Sequence, residues 1–71
     1  MNPKEIAQLQ AYLRNRFSNK NIIIIPRTNK KDSAEVMLND EFLGVIFRDD
    51  EDDEICYQFN MTLLDIDINA F

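Results

Sequence analysis

The amino-acid sequence predicts an α+β domain in which an N-terminal helix packs on a four-stranded antiparallel meander sheet. Apolar residues recur at helical spacing from Ile6 to Phe17, which favours one amphipathic helix at the start of the chain. From Ile22 onward, β-branched and alternating apolar segments are separated by short polar ones, as in strands joined by hairpins. A chain of 71 residues has room for one core, so we expect a single domain over residues 1–71.

The helix is predicted to run from Pro3 to Arg16. Asn2 supplies a side-chain acceptor at the N-cap, Pro3 suits the first helical position, and Glu5 completes a capping-box pattern. The apolar stripe of this helix consists of Ile6, Leu9, Leu13 and Phe17. Such a stripe usually belongs to a core, so we expect it to cover one face of the sheet.

Four strands are predicted after the helix, at about residues 22–25, 34–38, 42–48 and 55–63. Pro26 closes the first strand, because proline lacks a backbone donor and is confined to edges and strand ends. Gly44 is the only glycine, and it predicts a bulge or a close side-chain approach in the third strand. The alternation slips by one residue at 63–64, which predicts a bulge or a short helical turn and leaves 64–71 open between strand, helix and tail.

The alternation also assigns side chains to the two faces of the sheet. Phe47, together with Tyr57 or Phe59, is expected to contact the helix stripe. The opposite face should keep two of the four isoleucines at 22–25 and a candidate interface of Met37, Phe42, Ile46 and Cys56. Monomers rarely expose apolar patches above a few hundred Å², so we expect either residues 64–71 or a second copy in a two-fold dimer to cover this face.

Charge is distributed unevenly along the chain. The net charge is −5, with +6 in residues 1–31 and −11 in residues 32–71. We interpret this asymmetry as attraction between helix and sheet, and a basic face is the other interpretation. The candidate basic patch consists of Arg14, Arg16, Lys20, Arg27, Lys30 and Lys31. Since a helix followed by an antiparallel sheet loosely resembles a double-stranded-RNA-binding domain, nucleic-acid binding is the alternative function, although the acidic half opposes it.

The composition argues against catalysis. Histidine is absent, so the commonest general base and metal ligand is missing, and Cys56 has no imidazole to activate it. We therefore expect no enzyme activity, no catalytic residues, no cofactor and no metal. The acidic run 49–54 is interpreted as a solvated loop. It lacks the glycine of known calcium loops, and whether it binds a cation is left open.

The expected location is the cytoplasm. Cys56 is the only cysteine, and a lone thiol without a disulfide partner suits a reducing compartment. The first residues lack the apolar region of a signal peptide, and the longest aliphatic run, residues 22–25, is far shorter than the ~20 residues of a membrane span. We expect no contact with a membrane.

Five segments of the sequence carry a resemblance to a known family, and they are residues 3–13, 33–36, 40–45, 47–49 and 57–67. Together they resemble a family of short alphaproteobacterial proteins that is classed as a domain of unknown function. The resemblance covers nearly the full chain and implies a bacterial cytosolic protein, with no catalytic residues to transfer. The uncovered apolar face and the lack of catalytic residues, and not the resemblance, predict a small non-enzymatic protein-interaction module that self-associates as a homodimer, while the identity of any other partner is unknown.

Overall fold

Helix α1 spans Pro3–Arg16 in the computed structural model, which describes residues 1–29, 31–51 and 53–69, apart from the side chain of residue 67. A capping box begins the helix, as predicted. The side chain of Asn2 accepts from the Glu5 N–H at 2.7 Å, and the Glu5 carboxylate accepts from the Asn2 N–H at 3.2 Å. Two N–H groups that no helical carbonyl can reach are thereby satisfied.

Four strands follow, and they form one sheet in the order β1-β2-β3-β4. Their bounds are Ile22–Pro26 for β1, Ser33–Leu38 for β2, Glu41–Asp49 for β3 and Cys56–Met61 for β4. Every neighbouring pair is antiparallel. The predicted α+β class and meander topology are therefore confirmed.

Two side chains fix α1 along the outer edge of β1. The Ile24 N–H donates to Gln10 Oε1 at 3.0 Å, and Arg14 Nε donates to the Ile22 carbonyl at 2.7 Å. Strand β1 is an edge strand, and backbone groups on such an edge are otherwise free to pair with another chain. The helix therefore blocks this edge and lies over the β1 side of the sheet.

The core is small and lies between α1 and the first three strands. The fully buried apolar residues are Leu13, Ile22, Ile24, Ala34, Val36 and Ile46. Partly buried side chains that pack against them include Ile6, Leu9, Leu38, Leu43 and Phe59. The predicted contact of Phe59 with this layer is confirmed, whereas no β4 residue is fully buried.

A bulge in β3 corrects the predicted faces of that strand. Val36 pairs with Gly44 and Met37 pairs with Phe42, so that Leu43 is an extra residue. The bulge shifts the alternation by one position. Ile46 consequently lies under α1 with 1% of its surface exposed, whereas Phe47 lies on the opposite face with 42% exposed. The prediction that Phe47 contacts the helix stripe, and that Ile46 faces away from it, is wrong.

A close approach of β4 requires glycine at position 44. The sequence predicts such an approach as one of two alternatives. A Cβ at this position would lie 2.2 Å from the Asn60 carbonyl oxygen and 2.9 Å from Phe59 Cε1. The first contact is with backbone, which cannot rotate away as a side chain can. Only glycine therefore permits the observed pairing of β3 with β4 at this point.

The chain beyond β4 forms a short helical turn, α2, at Asp65–Ile68. This agrees with one of the structures predicted for the segment after residue 63. Leu64, Ile66 and Ile68 are all exposed, so these three side chains do not cover the sheet, and Phe71 lies outside the described residues. Within the described ranges, no helix is both long and apolar enough to cross a membrane.

The corrected faces predict opposite costs for two neighbouring truncations. Ile46→Ala should lower the free energy of unfolding by about 2–5 kcal/mol, because it opens a cavity in the core. Phe47→Ala should cost less than about 1.5 kcal/mol, since its side chain is partly in water. Urea unfolding at low protein concentration measures both values, and an equal or larger cost at Phe47 would contradict the bulge.

Gly44→Ala should destabilise the chain by about 1–3 kcal/mol, because the new methyl group overlaps the Asn60 carbonyl. The same change in a Phe59→Leu background shows whether the side-chain contact matters. If the backbone contact dominates, the cost of Gly44→Ala should be nearly the same in both backgrounds. A cost that disappears with Phe59→Leu would assign the clash to the ring instead.

Candidate functional site

The face of the sheet opposite α1 is uncovered in the described part of the chain, and we call it the open face. Its apolar side chains are Ile23, Ile25, Met37, Phe42, Val45 and Phe47. The strand registers place them side by side. Ile23, Met37 and Phe42 form a row across three strands. Exposed fractions of 45% for Ile23 and 56% for Phe42 show that much of this row contacts water.

Glu35 interrupts the open face at its centre. It pairs with Ile25 on one side and with Val45 on the other. The polar margin lies toward β4, where Gln58 pairs with Phe47 and donates to Asp49 Oδ2 at 3.3 Å. The open face is therefore an apolar surface with one central carboxylate and a polar rim on one side.

The structure places three of the four predicted interface residues on the open face. Met37, Phe42 and Cys56 share the face, but Ile46 is buried on the other side. Its place is taken by Val45 and Phe47, which the sequence-based assignment missed. Gly44 is the residue in the sequence that signals the bulge. Shifting the alternation by one position at this glycine would have placed Val45 and Phe47 on the open face. Whether any of these residues forms an interface stays a prediction.

A polar cluster joins the start of α1 to β4. Tyr57 Oη donates to Glu5 Oε2 at 2.7 Å, and Arg48 Nη1 lies 3.5 Å from the same oxygen. Glu5 is the only acid in residues 1–31, and Arg48 is the only base in residues 32–71. The described ion pair between helix and sheet therefore joins the single acid of the basic segment to the single base of the acidic segment. The predicted attraction would instead join a base of the helix to an acid of the sheet.

This cluster shifts two pKa values in opposite directions. The Tyr57 hydrogen bond, then the Asn2 N–H and the Arg48 charge, hold the pKa of Glu5 below its ordinary value of 4.5. The same hydrogen bond, assisted by burial, raises the pKa of Tyr57 above 10.0. Both groups lie near the surface and bind each other, which is the pattern of a structural tie and not of a general acid and base.

An apolar groove runs between α1 and β4 on the helix side of the sheet, and we call it the α1–β4 groove. It has two parts, of about 290 Å³ and about 300 Å³. The residues that line both parts are Leu13 and Phe59. Tyr12 and Tyr57 line the first part, and Phe17 and Met61 line the second. The groove exists because α1 lies toward β1 and leaves the β4 side of this face uncovered.

The structure places the described residues of the predicted basic patch in two groups, at opposite ends of β1. Arg14 is engaged with the Ile22 carbonyl. Arg16 and Lys20 precede β1 in the chain, whereas Arg27 and Lys31 follow it, so that about 16 Å of strand separates the two groups. Lys30 lies outside the described residues. This arrangement does not favour the nucleic-acid alternative, which needs a continuous track of cations along phosphates.

The described residues of the acidic run 49–54 define no cation site. Asp50, Glu51, Asp53 and Glu54 are exposed, as predicted for a solvated loop, and residue 52 lies outside the description. Among the residues that are described, no three Cys, Asp or Glu side chains group closely enough to hold a metal ion.

Tyr57→Phe should lower the melting temperature at neutral pH, because it removes the hydrogen bond to Glu5. A lowered pKa of Glu5 stabilises the fold above pH 4.5, and this contribution is lost as the pH falls through that pKa. A raised pKa of Tyr57 stabilises the fold below pH 10.0, and this is lost as the pH rises. The variant should therefore show a weaker decline of stability at both extremes in thermal melts across pH.

Tyr12→Phe is the matched control, since no hydrogen bond of the Tyr12 hydroxyl occurs within the described residues. Its melting temperature should follow that of the unmodified chain at every pH. Identical profiles for the two variants would contradict a role for the Tyr57 hydroxyl.

Comparison with known proteins gives a match to a family model. The family model described as Protein of unknown function (DUF3126) matches residues 5–67. No curated protein and no solved structure shows a significant match to the chain. The expected membership in a family of unknown function is thus confirmed, whereas its alphaproteobacterial source stays a prediction. Because the match includes all four strands and nearly all of α1, the chain belongs to the protein family of unknown function DUF3126.

Proposed function

We propose that the chain is a non-enzymatic protein-interaction module that self-associates by packing its open face against that of a second copy. The observation that carries the proposal is the six exposed or half-exposed apolar side chains on the open face. Water contact with such a patch is unfavourable by about 25 cal/mol per Å². A second copy supplies an identical patch, so that a two-fold axis makes the surfaces self-complementary.

The open face is small for a protein–protein interface. Four strands about 4.8 Å apart and six residues at about 3.3 Å each give a footprint of roughly 400 Å² per copy. Stable complexes bury about 800 Å² on each partner. We therefore expect a weak dimer whose population depends on protein concentration.

Glu35 should limit this association further. It occupies the centre of the open face between Ile25 and Val45. In a two-fold arrangement the two Glu35 carboxylates approach each other near the axis, and like charges in a desolvated interface repel. Replacing this carboxylate with an amide should consequently strengthen the dimer.

The composition supports a function without catalysis. The chain has no histidine, and Cys56 is an exposed free thiol on a strand without a neighbouring imidazole to activate it. The hydroxyl of Tyr57 and the carboxylate of Glu5 are already bound to each other. A cytoplasmic location belongs to the same proposal, because an exposed lone thiol is best kept reduced there.

Met37→Asp should convert a concentration-dependent dimer into a folded monomer, since it places a charge in the apolar row of the open face. Light scattering and sedimentation up to high micromolar concentration measure the mass, and circular dichroism checks the fold. Met61→Asp is the matched control, because Met61 is half exposed on the helix side of the sheet. It should dimerise like the unmodified chain.

Glu35→Gln should lower the dissociation constant of the dimer in the same measurement. A monomeric mass for the unmodified chain at high micromolar concentration would overturn the proposal. Loss of the dimer with Met61→Asp but not with Met37→Asp would place the interface on the other face.

A further inference from the structure

The two edge strands of the sheet, β1 and β4, differ in whether their outer backbone groups are bound. At β1, side chains of α1 bind the outer backbone groups of Ile22 and Ile24, and Pro26 ends the strand. At β4, β3 is the only element in the described chain that hydrogen-bonds to the strand backbone. An edge strand without proline, lysine or a covering helix can accept a further strand.

The α1–β4 groove lies beside this free edge. Tyr57, Phe59 and Met61 point to the helix side, and they form the floor of the groove with Tyr12 and Phe17 at its helix wall. In an extended peptide added to β4, every second side chain would also point to this side. Apolar side chains at those positions would enter the groove, which combines backbone pairing with side-chain pockets.

The charges around β4 indicate which charges a binding partner should carry at its two ends. Residues 55–63 contain no charged side chain. Exposed acids lie before the strand at Asp50, Glu51, Asp53 and Glu54, and Asp65 lies after it. Acids at both ends of an apolar strand attract a segment that carries lysine or arginine at both of its own ends.

We propose that β4 binds an extended segment of another protein as a fifth strand, with alternating apolar side chains in the α1–β4 groove and basic residues at both ends. A second copy of β4 does not fit this description. Antiparallel pairing of two β4 strands would bring the acidic loop of one copy beside the acidic end of the other, and these like charges repel. The surface differs from the open face, so this inference does not depend on the proposed dimer.

The probe is a short synthetic peptide that alternates valine and threonine and carries two lysines at each end. Titration into the 71-residue chain, followed by amide chemical shifts, should give saturable binding with the largest changes in β4. Methylation of the peptide backbone N–H groups keeps its side chains and charges but prevents strand pairing. It should weaken binding by at least about tenfold, as should replacement of the lysines by glutamates.

Two pairs of variants test the groove and the charges separately. Tyr12→Glu should weaken binding because it places a charge at the groove wall, whereas Gln8→Glu adds the same charge on an exposed residue that does not line the groove. Glu54→Lys should weaken binding more than Glu41→Lys, which changes an exposed acid at the start of β3. Melting temperatures confirm that each variant is folded.

Met37→Asp connects this test to the proposed dimer. If that variant is monomeric, it should still bind the peptide, because the open face and β4 edge are separate. No saturable binding at millimolar peptide would overturn the inference. Equal binding of the N-methylated peptide, shift changes confined to the open face, or shifts in β4 that change with protein concentration alone would also overturn it.

Discussion

The position of α1 determines which edges and faces of the sheet are covered and which are exposed. Gln10 and Arg14 bind the outer backbone of β1, and these bonds keep the helix on one side of a four-stranded sheet. A single helix is about 10 Å wide, so it cannot also cover β4. Three features follow from this one constraint: a protected edge at β1, an apolar groove beside β4, and a free edge on β4.

Most of the fold could be predicted from local sequence patterns. The capping box at Asn2 and Glu5 and the helical spacing up to Phe17 define α1, and alternation defines the four strands, because both signals act over a few residues. The face of Phe47 does not follow from alternation alone. It depends on a bulge at Leu43 and on the distance between Gly44 and the Asn60 carbonyl, which are properties of paired strands and not of one segment.

The polar cluster of Glu5, Tyr57 and Arg48 is even harder to predict from local sequence patterns. Glu5 and Tyr57 are 52 residues apart in the chain, and no local pattern connects them. Their partner Arg48 was recognised only as the single base of the acidic half. Sequence charge counts predicted attraction between helix and sheet, but the described ion pair uses the opposite signs. Charge totals describe the field around a chain, whereas individual ion pairs depend on which side chains the topology brings within reach.

The absence of fully buried residues from β4 has a consequence for local opening of the fold. The core residues belong to α1 and to the first three strands, so detachment of β4 would leave all of them in their elements and would remove only the cover that Phe59 gives to Ile46 and its neighbours. Its attachment consists of backbone bonds to β3, the half-buried ring of Phe59 and the tie from Tyr57 to Glu5. Regions with few buried contacts open with low free energies and form separate cooperative units. We therefore expect the fourth strand to show the least hydrogen-exchange protection in the sheet, and its opening would also break the hydrogen bond from Tyr57 to Glu5 at the start of α1.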